Sequence, residues 1–178
     1  GGAGRVAMLD ALDEAAEGAQ FSFAGMTDRM IVRRALTEAG VAVDEARIDS
    51  VIARYLERLA EVVAETTAEY IVHEGMREAV TATRRREGSA VGLGTGNVEA
   101  GARIKLSRVG LNDAFAFGGF GCDAEDRAEL IRIGAERGAA RLGRPREACR
   151  VVVIGDTPRD IAAARAIDAE SVAVGTGT

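Results

Sequence analysis

The sequence predicts an α/β fold with a parallel sheet that follows a helical region. Up to about residue 87 the apolar residues recur only with helical spacing, whereas from residue 89 short apolar runs alternate with helical stretches. The runs are residues 90–93, 114–117, 151–154 and 171–174, and such unalternating runs are typical of strands buried on both faces. The helical stretches between them are residues 98–109, 125–142 and 158–167, and this order implies parallel strands with right-handed crossovers.

Composition limits the classes of function. Hydrophobic residues make up 47% of the chain and charged residues 29%, which is typical of a globular protein. The net charge of −5 argues against a general nucleic-acid binder, because phosphate backbones favour a basic surface. No apolar run approaches the roughly 20 residues of a membrane span. Two distant cysteines, Cys122 and Cys149, are expected to be free thiols, so we predict a cytoplasmic protein.

The first half predicts a small bundle of helices. Its strongest helix covers residues 44–68, with a stripe of apolar residues from Ile48 to Val63 at helical spacing. We expect this stripe to face other helices of the same half rather than the sheet. Thr27 is expected to cap a helix over residues 28–39, and Gly40 is expected to end it.

The residues after the first predicted strand suit an anion. Gly94 and Gly96 allow the backbone a close approach, Thr95 offers a hydroxyl, and the amides after them begin a helix. The alternative is a tight turn in which Asn97 caps that helix. Lys105 lies eight residues beyond Asn97 and can reach back to a phosphate, although an ordinary solvated lysine has the same spacing.

The residues after the run 151–154 suit a hard cation. Asp156 lies directly after the predicted strand, where a carboxylate is costly unless it is paired or binds a metal. Thr157, Pro158 and Asp160 fit a capped helix start, so Asp160 has a structural explanation of its own.

A dinucleotide site is the rival interpretation of the glycine loop. Gly92, Gly94 and Gly96 lie at and after a strand end, but the third glycine of the G-x-G-x-x-G pattern falls at Asn97, and no acid ends the next strand. The dinucleotide interpretation is therefore weak.

Taken in order, these segments resemble the later motifs of the haloacid-dehalogenase-like hydrolases, in particular phosphoglycolate-phosphatase-like members with a helical cap. The matching segments are residues 93–97, Lys105 and residues 151–160, and the match is best from residue 89 to residue 178. Residues 25–28 resemble the segment that leads into the cap. The resemblance implies a three-layer Rossmann-like core of parallel sheet, residues 73–178, with an inserted α-helical cap, residues 8–72.

The resemblance also implies roles for individual residues in a magnesium-dependent phosphatase. It implies that Thr95, Lys105 and Asp156 are catalytic and that Thr95, Gly96, Asn97 and Lys105 bind phosphate. It implies a Mg²⁺ site at Asp156 and Asp160, where Asp160 does not contact the ion directly and also caps its helix. The substrate-contacting residues of the cap are then Gly25, Thr27 and Asp28. The expected partner is a small phosphorylated metabolite, a phosphomonoester, hydrolysed through an aspartyl-phosphate. We expect a monomer or a weak dimer.

The sequence departs from the resemblance at the nucleophile. The D-x-D-G-T segment that ends the first, central strand of such enzymes has no match here, and residues 1–5 resemble the stretch that such enzymes carry a few positions after that segment. We therefore expect a further strand before Gly1, lying between runs 151–154 and 90–93. If these two runs instead pair directly, the chain is a non-catalytic binding module. A 2-haloacid dehalogenase on the same scaffold is a further alternative, although the Gly155-Asp156 motif favours phosphate.

Overall fold

A computed structural model describes residues 2–65 and 70–175 as a mixed, helix-rich α/β structure with short parallel strands. Its helices are α1 (Gly2–Leu12), α2 (Asp28–Glu38), α3 (Glu45–Glu65), α4 (Met76–Arg85), α5 (Glu99–Arg108), α6 (Arg127–Arg141) and α7 (Pro158–Ala166). Its strands are β1 (Leu93–Thr95), β2 (Gly118–Phe120), β3 (Val152–Gly155) and β4 (Glu170–Ala173). None of the helices within these residues is long and apolar enough to cross a membrane.

The helical half packs around α3. Seven residues of the predicted stripe are buried against α1, α2 and the 3₁₀ turn after α1: Ile48, Val51, Ile52, Tyr55, Leu59, Val62 and Val63. The stripe therefore faces helices rather than the sheet, but Tyr55 and Leu59 also lie against Gly101 of α5, so the expectation that it faces only helices of its own half is wrong. The hydroxyl of Thr27 accepts a hydrogen bond from the amide of Met30, and Gly40 has a φ of 68°, as the predicted ends of α2 require. The predicted extension of α3 over residues 66–68 lies outside the described residues.

This helical core continues into the second half of the chain. Val98, which precedes α5, is buried in the same cluster as the α3 residues, and Ile104 of α5 packs against that cluster. A smaller cluster forms between α6 and α7, where Leu130, Ile131 and Ala163 are buried.

The first two strands begin three and four residues later than predicted. Each of these two strands contains a glycine that α6 approaches closely. A Cβ at Gly119 would lie 1.7 Å from the carbonyl oxygen of Leu130 in α6, and one at Gly94 would lie 2.3 Å from Cδ1 of Ile131. Gly94 and Gly119 therefore allow α6 to approach the backbone of these strands closely. The apolar run before each strand is not part of the sheet.

The strands form two parallel pairs. Leu93 aligns with Gly118 in the β1–β2 pair, and Val152 aligns with Glu170 in the β3–β4 pair. Within residues 2–65 and 70–175 the two pairs do not join, so the direct pairing of runs 90–93 and 151–154 is not seen.

The expectation that all four strands are buried on both faces is wrong. β2 is buried throughout, but Val152 and Ile154 of β3 and Val172 of β4 are 41%, 64% and 47% exposed. Val153 points the other way, towards the α6–α7 cluster. The β3–β4 pair therefore has apolar residues on both faces, and the described residues cover only the face that packs against α6 and α7.

Candidate functional site

The loop after β1 is held against the segment that leads into α2. The amide of Asp28 donates to the carbonyl of Gly96 at 2.8 Å, and the amide of Gly121 donates to the carbonyl of Asn97 at 2.8 Å. A Cβ at Gly96 would lie 2.6 Å from the carbonyl oxygen of Met26. Position 96 therefore needs glycine for a close approach of two backbones.

Asp28 is a buried carboxylate that binds this loop with both oxygens. Its Oδ1 accepts from Nδ2 of Asn97 at 3.0 Å, and its Oδ2 accepts from the amide of Val98 at 2.8 Å. The residue is 3% exposed. Burial raises the pKa of Asp28 above its ordinary 3.8, against the opposing effects of the Val98 amide, the charge of Lys105 and the Asn97 bond.

Thr95 and Lys105 both contact Asn97, while the phosphate-binding role of these residues stays a prediction. The ammonium of Lys105 donates to Oδ1 of Asn97 at 3.1 Å, and the hydroxyl of Thr95 accepts from the amide of Asn97 at 3.2 Å. Asn97 does not cap α5, because Val98 occupies the cap position and makes no side-chain cap. The alternative of a capping asparagine in a simple turn is therefore wrong.

Lys105 is not an ordinary solvated lysine. The residue is half-buried, and burial lowers the pKa of its ammonium while the negative charge of Asp28 raises it. A Cβ on Gly4 of α1 would lie 2.8 Å from the Lys105 Nζ and 3.9 Å from the hydroxyl oxygen of Tyr55. Gly4 and Tyr55 thus line the space in which the ammonium lies.

The predicted metal residues differ in how far they are engaged. Asp156 is exposed at the end of β3. Asp160 is 5% exposed, and its Oδ1 accepts from Nε of Arg127 at 2.8 Å while its Oδ2 accepts from the amide and hydroxyl of Thr157 at 3.1 and 2.7 Å. Both oxygens of Asp160 therefore hold protein donors, and the structure assigns this residue a capping and pairing role.

Of the two predicted metal residues, only Asp156 leaves its carboxylate available for a magnesium ion. Among residues 2–65 and 70–175, no group of three or more Asp, Glu, His or Cys side chains is arranged to hold a metal. Magnesium proteins commonly supply only one or two carboxylates, the rest of the shell being water and substrate phosphate. Asp156 fits as one such ligand, and the described residues do not complete a site.

The three predicted substrate residues lie between the two halves. Thr27 and Asp28 are 1% and 3% exposed, and their side chains bind the start of α2 and the loop after β1. Gly25, with a φ of 69°, lies against the side chain of Arg159 in α7, where a Cβ would be 2.6 Å from Cδ. The substrate role stays a prediction for all three residues. In the structure, Thr27 caps α2 and Asp28 connects α2 to the loop after β1.

Sequence reasoning singled out Lys105 but missed its link to Asp28. The composition does indicate that Lys105 itself occupies an unusual position. The chain has 23 lysine and arginine residues in total, and Lys105 is the only lysine among them. The pKa of a lysine side chain responds to burial more readily than that of arginine, whose charge is delocalised. The presence of one lysine among many arginines is therefore consistent with a position that arginine cannot fill.

Comparison with known proteins agrees with the resemblance. The family of haloacid dehalogenase-like hydrolases matches residues 6–168, which is most of the chain. No curated protein matches the sequence. The helix-rich α/β fold, the glycine loop after β1 and the Asp156 segment after β3 lie within the matched range. The chain belongs to the haloacid dehalogenase-like hydrolases.

Proposed function

We propose that this chain forms the phosphate-binding and metal-binding part of a magnesium-dependent phosphatase that hydrolyses a small phosphomonoester. The supporting observation is the convergence of Thr95 and Lys105 on Asn97, at 3.2 and 3.1 Å. A hydroxyl and an ammonium beside backbone amides are suited to the negative charge of a phosphoryl group.

In this proposal each group has one task. Lys105 neutralises charge on the phosphoryl group, and Thr95 with the amide of Gly96 orients it. Asp156 holds the magnesium ion, whose chemical contribution is to neutralise phosphate charge. Residues 8–72 act as a helical cap over a three-layer core, and Gly25 is the member of the cap segment whose neighbourhood includes Arg159.

The nucleophile is proposed to come from a strand ending in D-x-D-G-T. The two strand pairs of the described residues do not join, and a strand between β3 and β1 would bond to both. The sheet order would then be β4, β3, the nucleophile strand, β1, β2. Such a strand supplies partners for edge amides and carbonyls, each of which costs on the order of 1–3 kcal/mol when buried without a partner.

Binding and turnover can be tested separately. The single lysine, labelled with ¹³C at Cε, gives one resonance, and inorganic phosphate should shift it if Lys105 lies in a phosphate site. In a protein that also carries the proposed nucleophile strand, release of 4-nitrophenol from 4-nitrophenyl phosphate should require Mg²⁺ and stop on chelation. Phosphate binding without turnover would identify a binding module, and the absence of both binding and turnover would overturn the proposal.

Asp156→Asn tests the metal role. The variant should abolish Mg²⁺-dependent turnover, because an amide is a poor substitute for a carboxylate ligand. Asp168→Asn is a matched control beyond the other end of α7. Asp168 has a φ of 54°, a conformation that asparagine tolerates, so this variant should fold and keep its activity. Unchanged turnover in Asp156→Asn would contradict the assignment.

A further inference from the structure

Asp28, Asn97 and Lys105 form a chain of three polar side chains that crosses from the helical half to the loop after β1. The carboxylate of Asp28 accepts from Nδ2 of Asn97 at 3.0 Å, and Oδ1 of Asn97 accepts from the Lys105 ammonium at 3.1 Å. Of the three residues only Asp28 is fully buried, at 3% exposure. The three hydrogen-bonded side chains therefore connect the buried carboxylate of Asp28 to the half-buried ammonium of Lys105.

The chemistry of the two ends determines the orientation of the amide between them. An ionised carboxylate only accepts hydrogen bonds, and an ammonium only donates them. Asn97 must therefore direct its NH₂ group to Asp28 and its oxygen to Lys105. Turning the amide over would place donor against donor at Lys105 and acceptor against acceptor at Asp28.

Asparagine cannot replace Asp28 in this arrangement. The two oxygens of Asp28 receive two donors, Nδ2 of Asn97 and the amide of Val98. An asparagine side chain has one oxygen. If that oxygen serves Val98, its NH₂ faces Asn97, which turns and presents its own NH₂ to Lys105. If the oxygen serves Asn97, the buried amide of Val98 loses its acceptor.

We propose that Asp28 is a positioning residue for Lys105, acting through Asn97, so that the first turn of α2 holds the phosphate-binding lysine in place. The lysine is held by a neutral amide oxygen, and an ammonium has three donors, of which this bond uses one. Among residues 2–65 and 70–175, its positive charge is thus oriented without being directly paired to a carboxylate. The catalytic meaning of this inference rests on the proposed phosphatase function, but its test does not need turnover.

The charged and titratable groups around the ammonium are few in the described structure. Asp28 of α2 acts on Lys105 by charge, and the hydroxyl of Tyr55 in α3 lies near the same Cβ position of Gly4 as the ammonium. Burial raises the pKa of Tyr55, and the charge of Asp28 adds to that effect. Tyr55 is therefore neutral through the ordinary range, and Asp28 supplies the negative charge that favours the protonated lysine.

The test is a titration of the single lysine by its ¹³Cε resonance. In Asp28→Asn the midpoint should fall by roughly 1 pH unit, because the ammonium loses a nearby negative charge. Asn97→Leu keeps the charge of Asp28 but removes the bridge, so the midpoint should fall by less while the affinity for inorganic phosphate falls. Glu136→Gln, on the exposed face of α6, is the control and should leave both quantities unchanged.

The outcomes separate this inference from the proposed function. An unchanged midpoint in a folded Asp28→Asn variant overturns the positioning role. If that variant does not fold, the titration of the unaltered protein tests the inference instead. Its Lys105 ¹³Cε resonance should then show a second inflection above pH 3.8, where Asp28 becomes protonated. The absence of that inflection overturns the inference. A lysine that responds to Asp28 but not to inorganic phosphate supports the positioning role and contradicts the phosphatase.

Discussion

Arg137 holds both carboxylate oxygens of Asp123, with Nη1 at 2.6 Å from Oδ2 and Nη2 at 2.8 Å from Oδ1. The same Oδ2 accepts from the amide of Phe120 at 2.9 Å, and the same Nη1 donates to the carbonyl of Gly118 at 2.7 Å. Arg137 belongs to α6, so this pair attaches the helix to both ends of β2. It supplements the close approach of α6 to Gly119.

Replacing Asp123 with Asn should destabilise the fold. The variant loses the two-point contact with Arg137 and weakens the acceptor for Phe120, which should lower the free energy of unfolding by about 1–2 kcal/mol. Urea denaturation followed by circular dichroism measures this loss. Asp113→Asn is the control, since Asp113 is an exposed carboxylate in the short turn before β2, and its unfolding midpoint should not change.

The effect of Asp123 should depend on pH. The hydrogen bond from Arg137, with the amide of Phe120, holds the pKa of Asp123 below its ordinary 3.8 against the effect of burial. A carboxyl whose pKa is lower in the folded state stabilises the fold above its unfolded-state pKa of about 3.9 and loses that effect as the pH falls through the folded value. The stability difference between the unaltered chain and Asp123→Asn should therefore be full at about pH 6 and shrink below about pH 4. A difference that grows on acidification would contradict this.

Gly4→Ala should displace Lys105 without unfolding the protein. The new Cβ would lie 2.8 Å from the Lys105 Nζ, and a lysine end is flexible enough to move away. Alanine favours helix over glycine by up to about 1 kcal/mol, so stability should not fall. Affinity for inorganic phosphate should fall roughly tenfold, the value of one charged hydrogen bond. Gly2→Ala is the matched control on the same helix, because its Cβ would meet no atom within 4 Å.

Gly119→Ala should prevent α6 from packing on β2. Its Cβ would lie 1.7 Å from the Leu130 carbonyl oxygen, and a backbone atom cannot move aside as a side chain can. We expect a loss of about 3 kcal/mol or more in the free energy of unfolding. Gly175→Ala, where the added Cβ meets nothing within 4 Å, should leave the urea midpoint unchanged. Equal midpoints for the two variants would show that α6 can shift.

Helices were predictable because their signals are local. Periodic apolar residues, the Thr27 cap and the Gly40 stop all act within one or two turns, and α2 and α3 form where those signals lie. The position of β1 and β2 was not predictable in this way. Gly94 and Gly119 are explained by α6, which contributes Leu130, Ile131 and Gly134 from later in the chain.

The candidate site was predictable where residues lie just after a strand in sequence. Thr95, Asn97 and Lys105 lie within eleven positions of one another, so their convergence could be expected from the loop and the first turns of α5. The bond between Asp28 and Asn97 joins residues 69 positions apart. No local pattern reports such a pair. The carboxylate at position 28 was assigned to substrate because its neighbourhood in sequence suggested a cap, not because of its contacts.

The sharing of one apolar core by α3, Val98 and Ile104 bears on how the chain unfolds. A boundary between residues 72 and 73 separates the two halves in sequence, yet cutting there would leave Leu59 and Val98 on different fragments that each expose part of one interior. The same cut would separate the buried acid at position 28 from the donors that it binds. Melting of the helical half should therefore carry the loop after β1 with it, as a single cooperative event, so that the helical half cannot loosen without also releasing the lysine proposed to hold phosphate.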